Sequence, residues 1–185
     1  MGTSRHQLTH ARLVDCALDL FEVQGYEQTT VAQIAESAGV TQMTFFRHFA
    51  SKDLVVATDP YDPAMAGAVG ARPRHEPALL RAARGVRDAL QGMSEPETEQ
   101  VRRRVRVIAA SPALRSATVA HNTETEARIA EQLVADGTDP VRARSAAAAL
   151  LSALTAALYA WADHEELAMT AAISAALDML EHARE

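Results

Sequence analysis

Apolar positions recur along this chain at intervals of three and four, punctuated by glycines and prolines, and almost nowhere alternate in twos. That period belongs to helices. The first run spans about residues 9–23, with Leu13, Ala17, Leu20 and Phe21 facing inward and Gly25 closing it. Thr30 and Gln33 have capping-box spacing, so a second helix starts at Val31 and places Val31, Ile34, Ala35 and Ala38 on one face. Gly39 sits where that helix must stop and the backbone needs positive φ. Thr41 then caps a third helix whose apolar side is Phe45 and Phe49. Ala35 is small enough to let the two helices cross closely. Two short helices joined by a sharp corner predict a helix-turn-helix, the geometry that presents its second helix to the DNA major groove.

Further along, Ser51 is placed to cap a helix beginning at Lys52, and Pro60 and Pro63 should break it. Residues 59–77, rich in Pro, Gly and Ala, read as the boundary between two domains, 1–55 and 56–185. Beyond it, Leu79, Ala83, Val86 and Leu90 share a helical face, although Gly85 interrupts it. Gly92 to Ser94 read as a turn, and Glu95-Pro96 as the start of a helix to Ala110. Ser111-Pro112 and Asp139-Pro140 are each a cap followed by proline, opening helices that run to about Ala135 and Ala162. A last helix covers about 167–182. The predicted fold is all-α, with nine or ten helices: a three-helix head and a helical bundle.

Composition agrees with helices. Of the 185 residues 48% are hydrophobic, dominated by alanine, and only 4% aromatic. The net charge of −6 argues against a diffuse nucleic-acid binder. In residues 1–55, Arg5, Arg12, Arg47 and Lys52 face six acids, so any positive stripe must be local. One cysteine, Cys16, excludes an internal disulfide and suits a reducing cytoplasm. The N-terminal residues lack the apolar run of a signal peptide. The stretch from Ala146 to Ala162 reads as too short and weakly apolar to span a membrane. HExxH and CxxC spacings, G-x-G-x-x-G and Walker patterns are absent, so no catalytic residue, metal site or cofactor is expected and the enzyme classes find no support.

The run Thr29 to Leu54, TTVAQIAESAGVTQMTFFRHFASKDL, resembles the DNA-binding domain of the tetracycline-repressor (TetR) family. Thr30, Ile34, Ala35, Ala38, Gly39, Val40, Thr41, Thr44, His48, Phe49, Ser51 and Lys52 match that family's pattern, and Leu20, Phe21, Gly25 and Tyr26 extend it upstream. One departure stands out: Phe46 occupies the place of a tyrosine that touches a phosphate. The segment from Ser111 is similar to actinobacterial members of the family, in the group that includes the mycofactocin regulator. The resemblance implies a homodimeric, ligand-responsive regulator, more often a repressor, bound to a palindromic operator and released by a small-molecule effector.

On that basis the DNA-binding positions are Thr30, Thr41, Gln42, Met43, Thr44, Phe46, Arg47, His48 and Lys52. Gln42 suits an adenine edge and a threonine methyl a thymine methyl, while Thr30, His48 and Lys52 match family positions that hold phosphates. Arg102, Arg103, Arg104 and Arg106 are the densest basic cluster; a solvated face pairing with Glu95, Glu97 and Glu99 is the simpler reading, and one arginine holding an anionic effector the sharper. The polar-tipped residues of the bundle give an effector pocket of Arg104, Ile108, His121, Asn122, Thr155 and Tyr159. The apolar surplus of the last two long helices predicts a dimer seam containing Leu151, Leu154, Leu158, Trp161, Ile173 and Leu177. His6 and His10, four apart, fall in an expected flexible tail. The rival reading is a helical interaction or small-molecule-binding protein without an operator of its own.

Overall fold

The computed structural model describes residues 5–57, 62–91 and 98–183, all of whose regular elements are helical. Ten helices follow one another among these residues: α1 (Arg5–Gln24), α2 (Val31–Ser37), α3 (Gln42–His48), α4 (Leu54–Ala57), α5 (Asp62–Ala71), α6 (Ala78–Gln91), α7 (Thr98–Ala110), α8 (Pro112–Ala135), α9 (Pro140–Asp163) and α10 (Met169–Glu181). The chain forms two compact units, Met1–Thr58 with Glu99–Val119, and Asp59–Thr98 with Ala120–Glu185.

In the first unit, α1, α2 and α3 close over Leu13, Ala17, Leu18, Phe21, Ile34, Ala35 and Phe45, all buried. Leu18 rather than Leu20 fills the inner face of α1, since Leu20 is only half-buried. The helix also begins at Arg5, which makes His6 and His10 helical residues and not a tail. Segment Glu99–Val119 belongs to this unit, a division that differs from the expected boundary at residue 55. Within it Arg103 on α7 donates to Glu22 at 2.9 and 2.7 Å and to Asp19 at 2.6 Å, and Gln100 donates to Asp15, all three acceptors on α1. Arg103 therefore pairs with α1 and not with its own helix's glutamates; Glu95 and Glu97, like the expected turn at 92–94, lie outside the described residues.

The second unit packs α5, α6, α9, α10 and the C-terminal part of α8 around Val69, Ala82, Val86, Ile129, Leu133, Ala147, Leu150 and Leu177. Helix α5 corrects the sequence expectation, which took its Pro-, Gly- and Ala-rich composition for a linker. Proline is tolerated in a first helical turn, where its missing N–H is not needed, and Pro63 stands there. Small residues let α5 approach α6: a Cβ on Gly85 would fall 2.7 Å from Cα of Val69. Glycine in the middle of α6 is thus a crossing point, not a break.

Charge holds the same unit together. Arg81, 1% exposed, donates through Nε to the Val69 carbonyl at the end of α5 and pairs through Nη2 with Asp136, just beyond α8. Glu76 accepts from Arg72 and Arg84, and Glu181 from Arg84 and Arg87, tying α6 to α10. Helix α8 closes on Gly137 at φ 97°, with Thr138 N–H donating to Leu133 O and Gly137 N–H to Val134 O, a Schellman turn. Asp139 caps α9 by accepting from the N–H groups of Val141 and Arg142. By length and composition α9 would suffice to cross a bilayer, contrary to the sequence expectation. Here it buries Ala143, Ala146, Ala147, Leu150, Leu151, Leu154, Trp161 and Ala162 and serves as a core helix.

Candidate nucleic-acid interface

The corner between α2 and α3 is built from backbone chemistry that the residue types dictate. Thr30 accepts from Gln33 N–H at 3.2 Å while the Gln33 side chain accepts from Thr30 N–H at 2.8 Å, the reciprocal capping box. At the other end Gly39, at φ 64°, completes a Schellman turn: Val40 N–H donates to Ala35 O and Gly39 N–H to Glu36 O, each at 2.9 Å. Thr41 then starts α3, its hydroxyl accepting from Thr44 N–H at 3.1 Å.

Helix α3 is anchored by one face only. Phe45 is 0% exposed and lies 5.7 Å, centroid to centroid, from buried Phe49. The outward positions are Gln42, Met43, Phe46 and Arg47, all exposed. The hydroxyls of Thr41 and Thr44 lie 3.1 Å apart, and Arg47 Nη2 donates to Thr44 Oγ1 at 3.3 Å. Both threonines, expected at the reading surface, thus spend their hydroxyls on the helix end.

Three expected phosphate contacts are placed less directly than the sequence suggests. The Thr30 hydroxyl is 3.1 Å from Gln33 Oε1 as well as capping α2. Lys52 turns onto the α1–α2 turn, donating from Nζ to the carbonyls of Tyr26 at 2.6 Å and Thr29 at 2.7 Å. Its ammonium also lies 3.9 Å from the Tyr26 ring centroid. Burial lowers the Lys52 pKa against the pull of Glu27 and Asp53, and burial with Asp53 and Glu27 raises that of Tyr26. Helix α4 begins two residues later, at Leu54, so Lys52 lies in the turn before it and Ser51 is not its cap residue.

His48 ends α3 against α1. Its ring centroid is 4.2 Å from His6 and 5.8 Å from His10, and His10 lies 4.4 Å from Phe49. Nδ1 of His48 is buried with no hydrogen-bond partner among the described residues. Burial first, then the electrostatic influence of His6, His10 and Arg47, push His48 below the ordinary imidazole value, and burial and His6 do the same to His10. The four-residue spacing of His6 and His10 signals this cluster, but only once α1 is extended back to Arg5.

Of the expected effector residues, Arg104 and Ile108 fall in the first unit and His121, Asn122, Thr155 and Tyr159 in the second. The structure joins one pair: Asn122 Nδ2 donates to Thr155 Oγ1 at 3.3 Å, and that hydroxyl donates to Leu151 O at 2.8 Å. The residues expected at the dimer seam differ in burial. Leu151, Leu154, Trp161 and Leu177 are buried within the single chain, and Leu158 and Ile173 half-buried. Leu151, Leu154 and Leu177 belong to the intrachain core, and Ile173 packs against it. Exposed positions of α9 and α10 include Ser152, Ala156 and Ala160, and Ala171, Ala175 and Met179, each set at four-residue intervals.

A capped helix pair joined by a positive-φ glycine, whose second helix offers an amide, a guanidinium and apolar side chains outward, is a helix-turn-helix reading head. Residues 13–57 match the family model of bacterial regulatory proteins, tetR family, and residues 77–185 that of the MftR C-terminal domain. The chain belongs to the TetR family and is a DNA-binding transcriptional regulator.

Among its relatives is the HTH-type transcriptional regulator TcmR of Streptomyces glaucescens, 34% identical over 93% of this chain and 82% of that protein. MftR of Mycobacterium tuberculosis, assigned to regulation of mycofactocin biosynthesis, is 28% identical over 95% and 91%. In fold the chain is similar to SmeT, repressor of the Stenotrophomonas maltophilia efflux pump SmeDEF, with TM-score 0.56 and 20% identity over 96% of this chain and 90% of that one.

Proposed function

We propose that the protein is a homodimeric repressor in the cytoplasm that holds a palindromic operator through α3 of each copy and is released by a small-molecule effector. The observation that carries this reading is the outward face of α3, where Gln42, Met43, Phe46 and Arg47 are exposed while Phe45 locks the helix to the head. Gln42 is the candidate for a bidentate adenine contact and Arg47 for guanine or phosphate. His48 and the N-terminal turn of α1 flank that face.

A two-fold dimer sets its recognition helices about 34–36 Å apart, which is what makes the operator palindromic. The exposed small residues Ser152, Ala156 and Ala160 of α9 and Ala171 and Ala175 of α10 suit close helix approach between copies, and with exposed Met179 they form the proposed seam. The Asn122–Thr155 pair is the candidate polar anchor for an effector in the helical unit. SmeT, which forms a complex with triclosan, supports a ligand-responsive reading by analogy of fold. An effector that favours one head spacing lowers operator affinity by linkage.

The test is a titration of the full chain on genomic fragments, followed by fluorescence anisotropy. A few saturable sites with a steep salt slope are expected. Uniform weak binding to all fragments would favour the rival, a helical interaction module. Ala156→Arg should yield folded monomers in sedimentation, whereas an intact dimer would move the seam elsewhere.

A further inference from the structure

The reading face of α3 has an apolar centre. Met43 is 74% exposed and Phe46 51%, three residues apart and therefore adjacent on the helix surface. Phe46 is not a loose side chain: its ring meets buried Phe45 edge-on, with centroids 5.5 Å apart and planes at 86°. Polar groups flank this ridge without crossing it. Gln42 stands at one side, and Arg47 at the other is steered by its bond to Thr44. The Thr41 and Thr44 hydroxyls are engaged with one another and with the start of the helix.

Resting on the assignment of α3 as the helix that enters the major groove, we propose that Met43 and Phe46 read thymine, by packing against its C5 methyl group. Thymine alone among the four bases places a methyl in the major groove, beside its O4 acceptor; cytosine and the purines present only donors and acceptors there. A ridge with no hydrogen-bonding group buries a methyl at a gain and strands a polar base edge at a cost. Discrimination therefore comes from the thymine methyl, which G·C and C·G pairs do not offer. Phe46 contributes because it lacks a hydroxyl: its ring has no phosphate to hold and can lie flat against a methyl.

The experiment selects tight duplexes from a random library with the full chain, then replaces individual thymines of the selected site by deoxyuridine. Removing the methyl leaves pairing intact. At one or two positions per half-site, deoxyuridine should weaken binding about fourfold per methyl removed. Met43→Ala and Phe46→Ala, both at exposed positions, should lose that discrimination and bind thymine and deoxyuridine sites alike. Selection of a defined site that is indifferent to deoxyuridine everywhere overturns the thymine proposal while leaving the recognition helix in place. A deoxyuridine penalty retained by both variants also overturns it. Failure to select any sequence would instead remove the reading of α3 as a recognition helix, and this proposal with it.

Discussion

Lys52 lies over the ring of Tyr26, its Nζ 3.9 Å from the ring centroid and 2.6 Å from the Tyr26 carbonyl oxygen. With a second bond to the Thr29 carbonyl, the ammonium pins the turn between α1 and α2 to the segment leading into α4.

Lys52 is thus expected to act mainly on the head's stability. Lys52→Met leaves two carbonyls without their charged donor, and should cost about 1–3 kcal/mol. Two of its three N–H groups are spent inside the fold, so the slope of log affinity against log salt should stay unchanged. A drop of about one per protomer, with stability intact, would return Lys52 to a phosphate.

The His6–His10–His48 cluster should make the head sensitive to mild acid. His10 and His48 bind protons less readily folded than unfolded, so their contribution is complete above the unfolded value near pH 6.5 and is lost as pH falls below it. An imidazole titration by NMR should place the His48 midpoint below the ordinary value, and His6→Gln should raise it. An unmoved midpoint would show that the stacked rings do not sense one another's charge.

Two glycines of the helical unit should respond oppositely to alanine. At Gly85 the added Cβ would meet backbone atoms of Val69 at 2.7 and 2.8 Å, so Gly85→Ala should destabilise by about 1–3 kcal/mol. At Gly67 nothing lies within 4 Å, so Gly67→Ala should stabilise by about 0.5–1 kcal/mol through helix propensity. Thermal melting of both variants decides whether the α5–α6 crossing is as close as the structure has it.

The pair of Arg81 with Asp136 predicts that Arg81→Leu destabilises the helical unit, since Asp136 and the Val69 carbonyl each lose a charged donor. Asp136 is held below the usual carboxylate range by the hydrogen bonds from Gln132 and Arg81, and Glu76 by those from Arg72 and Arg84. Folded carboxyls of this kind stabilise the protein above about pH 4, and that stability goes as pH falls towards their depressed values. Urea midpoints measured between pH 6 and pH 3 should fall steeply in the wild type and less so in Arg81→Leu.

What residue order determined by itself is local. Capping Thr30, Thr41, Ser111 and Asp139, the stop at Gly39 and the apolar spacing of α2 and α6 each act within one or two helical turns, so neighbours in sequence suffice to specify them. The outward set from Gln42 to Arg47 follows from the same period once Phe45 is buried. Tertiary structure decided wherever a residue's role depends on what lies across the interior. Leu154 is equally apolar whether it meets its own core or a second copy, and only packing shows the former. Helix α5, poor in propensity, gains its place from the glycine crossing with α6. Lys52 and Arg103 are surface charges by composition; they become ties because Tyr26 and Glu22, distant in sequence, fold against them. Long-range partners are the one thing a periodic pattern does not encode.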